Sequence, residues 1–227
     1  MPKIHDRLIE VQNRIAKALA AVGRDSQDAK LLAVSKTKPA QYLREAYVAG
    51  QRKFGENYLQ EALDKQQQLQ DLDIEWHFIG PIQSNKTRAI AENFDWVHSV
   101  DRLKVAQRLN DQRPAHLPPV NICLQINIDA EPSKSGISLA ELPELLESLQ
   151  ALPHISVRGL MAIPAPRADT MAQQQALAPL ANALQKLQRH YPSLDTLSMG
   201  MSNDLEAAIA AGSTMVRIGT DIFGARG

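Results

Sequence analysis

Between Lys30 and Gly219, short runs rich in β-branched and aliphatic residues alternate with longer helix-forming segments, and this alternation constrains the fold more than any other feature. The runs are KLLAVSK (30–36), RKFGEN (52–57), IEWHFIG (74–80), DWVHSV (95–100), PVNICLQIN (119–127), ISVRGLMAI (155–163), LDTLSMG (194–200) and TMVRIG (214–219). Helix-forming segments begin near Pro39, Tyr58, Ser84, Arg102, Leu139, Thr170 and Ser202. Strands that alternate with helices in this way read as βαβ units and a mainly parallel sheet. Eight strand runs favour closure into an α/β (β/α)8 TIM barrel over an open sheet. No low-complexity linker or Gly/Ser run divides the chain, so residues 1–227 are read as a single domain.

Ahead of the first strand, Ile4, Leu8, Val11, Ile15, Leu19 and Val22 recur at steps of three or four and define one face of an extra N-terminal helix. Gly23 supplies its stop. Only TDIFGARG follows the last strand, so the closing helix is expected to be missing and the opening helix to cover the wall left bare. Pro143 and Pro179 each remove an amide donor, which predicts helices that kink or start late.

Lys+Arg and Asp+Glu balance at 25 each, so no net field points to nucleic acid or an anionic membrane surface. No stretch approaches the length of a membrane span, and the charged N-terminus has no continuous apolar core of a signal peptide. A cytoplasmic location follows by default. The lone Cys123, inside an apolar run, reads as a small buried hydrophobe. The six histidines show no metal-ligand spacing, and no Walker A, GxGxxG or GxSxG signature occurs.

In barrels of this class the loops after the strands build the active site. Those ends carry Lys36, Glu56 and Asn57, His77 and Gly80, His98 and Ser99, Asn127, then SMGMSND and RIGTD. Leu32, Val34 and Lys36 share one face of a strand, so an inward Val34 raises the Lys36 amine through the barrel mouth. There it is a candidate nucleophile toward an aldehyde, set against the ordinary fate of a solvated strand-end lysine. Lys38, just before Pro39, fits the solvated fate better.

Gly200 permits a tight bend before a helix that Ser202 or Asn203 can cap, and Asn203 with Glu206 has capping-box spacing. Free amides at that helix start form a candidate anion site. Gly219 and Thr220 offer a second cradle directly after the last strand, and loops seven and eight are the frequent phosphate position in these barrels. Arg217, inside an apolar strand, needs a partner. Either it pairs with a carboxylate such as Glu56, or it hydrogen-bonds a heteroatom of a bound ring. Lys134 and Ser135 lie on the loop after strand five and read as a solvated basic loop.

The segments LLAVSKTKP, FGENYLQEA, WHFIGPIQSNK, SKSGI, RGLMAIP, SMGMSND and GSTMVRIGTDIFGAR resemble the pyridoxal-phosphate homeostasis proteins, relatives of the N-terminal barrel of alanine racemase. The resemblance runs from about Leu31 to the C-terminus and implies a fold-type III barrel that binds pyridoxal 5′-phosphate (PLP). It implies that Lys36 forms the internal aldimine, a Schiff base. It further implies that Ser202, Gly219 and Thr220 hold the phosphate with Met199 or Met201 near it, that Arg217 faces the pyridine nitrogen, and that Asn57 lies beside the cofactor. No metal and no oxidation chemistry is expected.

An arginine does not readily release a proton, so at the pyridine nitrogen it would keep that atom unprotonated and the ring a poorer electron sink. The racemases sharing this trait use acid–base groups that include a tyrosine from a second, β-rich domain, which this chain is expected to lack. The resulting expectation is a monomeric, non-catalytic carrier in intracellular PLP homeostasis, with PLP-dependent apoenzymes as recipients and an effect on amino-acid and keto-acid balance. A racemase-like enzyme acting through Lys36 is the alternative, and a cofactor-free Schiff-base aldolase ranks third.

Overall fold

The structure, a computed structural model, describes residues 3–225. Eight parallel strands close into a barrel in sequence order: β1 Lys30–Val34, β2 Lys53–Glu56, β3 Glu75–Phe78, β4 Trp96–Val100, β5 Val120–Ile126, β6 Ile155–Ala162, β7 Thr196–Ser198 and β8 Met215–Ile218. Closure is made by β8 pairing in parallel with β1, Leu32 opposite Arg217 and Ala33 opposite Ile218. Each of the eight runs read from the sequence becomes a strand, because each supplies apolar residues to both faces, as a sheet covered on its outside and filled on its inside requires.

The helices are α1 Ile4–Ala21, α2 Ala40–Val48, α3 Leu59–Gln68, α4 Thr87–Asn93, α5 Leu103–Gln112, α6 Leu142–Leu149, α7 Thr170–Gln188, α8 Leu205–Ala210 and α9 Thr220–Phe223. Helix α1 buries Ile4, Leu8, Val11, Ile15 and Leu19, and it packs against α2, α8 and α9. It therefore covers the wall between the last and first strands. Each such buried aliphatic contributes about 1.5–3 kcal/mol. Val22 departs from the expected stripe: it lies past the last helical residue and is 44% exposed. Gly23 takes φ 69°, its amide bonds the Ala20 carbonyl, and the Arg24 amide bonds that of Leu19. That pair of bonds is the Schellman stop, which favours glycine at the left-handed position.

The chain after β8 does form a helix, although only the single turn of α9. Pro143 sits in the first turn of α6, where a missing amide costs nothing, so that helix starts late as expected. Helix α7 instead runs unbroken through Pro179. Among the described residues no helix is long and apolar enough to cross a membrane.

Two layers of core result. The outer one, between sheet and helices, is mostly aliphatic, with Phe54, Trp76, Phe78, Phe94 and Phe223 as its buried aromatics. The barrel interior holds a small separate cluster of Trp96, Cys123 and Met161. Cys123 is the buried hydrophobe anticipated, its thiol pushed up to about 12 by burial. Beside this cluster the interior departs from an aliphatic filling, for His77, His98, Ser198 and Arg217 are all buried there.

Candidate functional site

At the C-terminal mouth of the barrel a cavity of about 280 Å³ is lined by Val34, Lys36, Asn57, Ile79, Met161, Ile163, Met201, Ser202, Asn203, Arg217, Gly219 and Thr220. The strand alternation from Leu32 through Val34 carries Lys36 there, two residues beyond the end of β1. Thr37 takes a left-handed φ of 63° and turns the chain away immediately afterwards. Lys38 has a different fate, its Nζ donating to the Ala225 carbonyl at 2.7 Å.

Of the residues singled out from the sequence, the cavity gathers Lys36, Asn57, Met201, Ser202, Arg217, Gly219 and Thr220. Met199 is not among them. It follows the inward-facing Ser198, so strand parity turns it outward, fully buried in the layer against the helices. Val34, inward as the strand alternation implies, joins Ile79, Met161 and Ile163, which no motif marks, in lining the cavity with apolar surface.

Two loops supply anion donors. Gly200 bends the chain at φ 99°, as expected, before the Met201–Asp204 turn. The anticipated Asn203–Glu206 capping box does not form. Helix α8 begins at Leu205 behind Asp204, whose Oδ1 accepts from the Met201 amide at 2.6 Å. Glu206 is taken by Arg14 of α1, whose Nε and Nη2 donate to it at 2.9 Å. Arg14 also donates to the Ser202 carbonyl at 3.1 Å and to Asp221 at 2.7 Å, tying both loops to α1.

Among the described residues, the amides of Ser202, Asn203, Gly219 and Thr220 donate to no protein acceptor. A helix dipole adds little here, since α8 has six residues and α9 four. The amides themselves and the Ser202 and Thr220 hydroxyls make the cradle. Gly219 is obligatory for shape: a Cβ there would lie 2.9 Å from the Val34 carbonyl oxygen.

Arg217 does not pair with Glu56. Its Nη1 donates to the Ser198 carbonyl at 2.6 Å and to the Ser198 hydroxyl at 2.8 Å, and its Nη2 to the Ala162 carbonyl at 3.0 Å. Burial lowers its pKa to about 10, still far above neutrality, so the group remains a cation and a pure donor. A guanidinium carries five N–H groups, and these bonds use three of them. Two remain on a side chain that lines the cavity. Behind it, Ser198 Oγ lies 2.7 Å from His98 Nδ1, His98 Nε2 lies 2.9 Å from His77 Nδ1, and His77 Nε2 lies 2.8 Å from Glu75 Oε1. This connection escapes the sequence because it depends on four strands meeting. The only local signal is a histidine at the inward parity of two neighbouring strands.

Glu56 is paired with Lys65 of α3 instead, Oε1 to Nζ at 2.7 Å, both side chains buried. Burial raises the carboxyl's pKa, with Lys65 and the Ser35 hydroxyl pulling it back down. Among the described residues, Asn57 Oδ1 is a buried acceptor without a hydrogen-bond partner, on a residue that lines the cavity. A second cavity of about 360 Å³ adjoins the first through Asn57, Ile79 and Ile163. Lys134 lines it and pairs with Glu131 at 2.7 Å, while Asn127 braces the same loop by donating to the Glu131 carbonyl at 2.7 Å.

The chain is similar over nearly its whole length to known proteins. Residues 9–227 match the family described as alanine racemase, N-terminal domain. A protein of Pseudomonas aeruginosa named pyridoxal phosphate homeostasis protein is 60% identical over 226 residues, covering 100% of this chain and 97% of that one. Its namesake in Escherichia coli K12 is 57% identical over 229 residues, covering 100% of this chain and 98% of that one. Among solved structures, PipY of Synechococcus elongatus with PLP bound is similar at a TM-score of 0.85 and 39% identity, covering 97% of this chain and 100% of that one.

Proposed function

The chain belongs to the pyridoxal phosphate homeostasis proteins, built on the alanine racemase N-terminal domain, and from that premise we propose that it holds PLP as a Schiff base on Lys36 in the mouth of its barrel. One observation carries the reading: a primary amine, two loops of unused amides and a buried guanidinium converge on a single cavity of about 280 Å³. The donor set suits the cofactor, an aldehyde, a phosphate and a pyridine on one small ring. When bound, PLP supplies an aldehyde that condenses with amines and a ring that draws electron density from them.

The chain's own residues then divide the work. The amides of Ser202, Asn203, Gly219 and Thr220, with the Ser202 and Thr220 hydroxyls, hold the phosphate. Arg217 would direct its remaining N–H groups to the ring nitrogen and, since a guanidinium does not release its proton, would leave that atom unprotonated. The apolar side chains of Val34, Ile79, Met161 and Ile163 would exclude water from a bound ring. Asn57 lies beside it, offering an acceptor that the protein leaves unmet.

Among the described residues that line this cavity, the ionisable ones are Lys36 and Arg217. Moving a proton on and off an amino acid from opposite faces needs a second base, and an unprotonated ring weakens the electron sink. Both features favour custody of the cofactor over turnover. The protein thus acts as a cytoplasmic carrier, with PLP-dependent apoenzymes as its recipients. Adding PLP to purified protein should produce the visible absorption of a lysine-linked cofactor, and Lys36→Ala should abolish it. A colourless wild type that retains no PLP would refute the proposal.

A further inference from the structure

We propose that Ser198, His98 and His77 are positioning residues: they form a hydrogen-bond chain of fixed direction that joins the guanidinium of Arg217, under the cavity, to the carboxylate of Glu75 at the far end of the barrel. The inference rests on the reading that PLP occupies the mouth with Arg217 at its ring nitrogen.

The direction follows from counting protons. Glu75 accepts only, so the ring nitrogen that faces its Oε1, His77 Nε2, must carry the hydrogen. A neutral imidazole has one N–H, which leaves His77 Nδ1 bare, and the hydrogen between the two rings must come from His98 Nε2. By the same logic His98 Nδ1 is bare and accepts from the Ser198 hydroxyl. Having committed its only hydrogen there, Ser198 Oγ can only accept from Arg217, and a guanidinium can only donate. A donor-only group at one end and an acceptor-only group at the other thus agree on one arrangement. Every hydrogen points from the mouth toward the floor.

Neutrality of both rings follows from their surroundings. Each is wholly enclosed, and burial lowers both pKa values, that of His98 well below its ordinary value. Trp96 stacks on His77 at 5.4 Å between ring centroids with the planes 12° apart, which fixes the ring that receives the His98 hydrogen. A barrel interior is ordinarily filled with branched aliphatics, and a buried polar group is costly unless fully satisfied. Here each donor and acceptor along the chain has a partner between 2.7 and 2.9 Å. The consequence lies at Arg217. The lone pair of Ser198 and the carbonyls of Ser198 and Ala162 lock the guanidinium, so the aim of its two remaining N–H groups is set from below.

The experiment has two parts. Histidine-selective ¹⁵N NMR of the ligand-free protein at neutral pH should find His77 and His98 both neutral and protonated at Nε2; an Nδ1–H tautomer or an imidazolium at either ring overturns the chain. With PLP added, Ser198→Ala should shift the absorption band of the bound cofactor and weaken its retention about tenfold, and Ser198→Thr, which keeps the hydroxyl, should restore both. A folded Ser198→Ala protein with wild-type band and affinity overturns the positioning role. A wild type that takes up no PLP defeats the functional reading instead, and the tautomer spectra then decide the chain by themselves.

Discussion

Lys65 Nζ lies 2.7 Å from Glu56 Oε1, with the two side chains 5% and 0% exposed. The same ammonium donates to the Ser35 carbonyl at 2.8 Å and to Glu61 at 2.5 Å. It therefore ties the end of β2 and the start of α3 to the residue that precedes Lys36. Removing one member of a buried pair strands the other charge, at a cost of about 3–5 kcal/mol. Lys65→Met should lose stability of that order in urea denaturation, and the double change Lys65→Met/Glu56→Leu should recover much of it. Equal midpoints for wild type and Lys65→Met would show that the pair does not brace the turn.

Arg14 reaches the site from outside it. Its bonds to Ser202, Glu206 and Asp221 hold the two loops proposed to receive the phosphate against α1, yet it does not line the cavity. Its side chain is 37% exposed, so these ion pairs contribute little stability of their own, about 1 kcal/mol or less. Arg14→Met should leave the thermal midpoint within a few degrees of wild type and weaken PLP retention roughly fivefold. Equilibrium dialysis reads the effect. Wild-type retention would mean the loops hold their shape unaided.

Gly219→Ala tests the cradle sterically. The new methyl meets backbone, the Val34 carbonyl at 2.9 Å, and cannot be accommodated by a side-chain rotation. The last loop must then lift from β1 and carry its amides away from the phosphate. PLP affinity is expected to fall by more than about tenfold, with the larger effect on phosphorylated pyridoxal than on pyridoxal. Equal losses for the two ligands would place the phosphate elsewhere.

Much of this was readable from residues alone, for physical reasons. The eight strands announce themselves because both faces of each are buried, and Lys36 because period-two alternation aims it. The anion loops show as strand-to-helix turns with glycines at Gly200 and Gly219. The features that residues alone do not reveal depend on non-local contacts or on where a strand ends. Glu206 looked like a capping partner of Asn203 until Arg14, 192 residues away, captured it. Glu56 looked available to Arg217 until Lys65 folded back from α3. Met199 and Met201 look alike in the sequence because the end of β7 at Ser198 is not written there; once it is known, parity turns Met199 outward. The histidine chain needs strand register: β3 and β4 pair His77 with Trp96, which sets His98 beyond it toward the mouth.

Glu75 carries a pH signature. Burial pushes its carboxyl up, but hydrogen bonds from His77 and Lys53 outweigh that and hold it at about 2 against an ordinary 4.5. The folded protein thus prefers the charged form more than the unfolded chain does. The resulting stabilisation is complete above 4.5 and is lost as pH falls from there toward 2. Glu75→Gln should be less stable at neutral pH and should show a flatter loss across that acid window. Parallel stability curves for the two proteins would contradict the assignment.

Attachment of PLP to Lys36 can be read chemically. Wild-type protein loaded with PLP is reduced with borohydride, digested and mapped by mass spectrometry. A pyridoxyl group is expected on Lys36, in the peptide that carries LLAVSK, with no label at that position in Lys36→Ala. Label on Lys38, Lys65 or Lys134 with an unmodified Lys36 would contradict it.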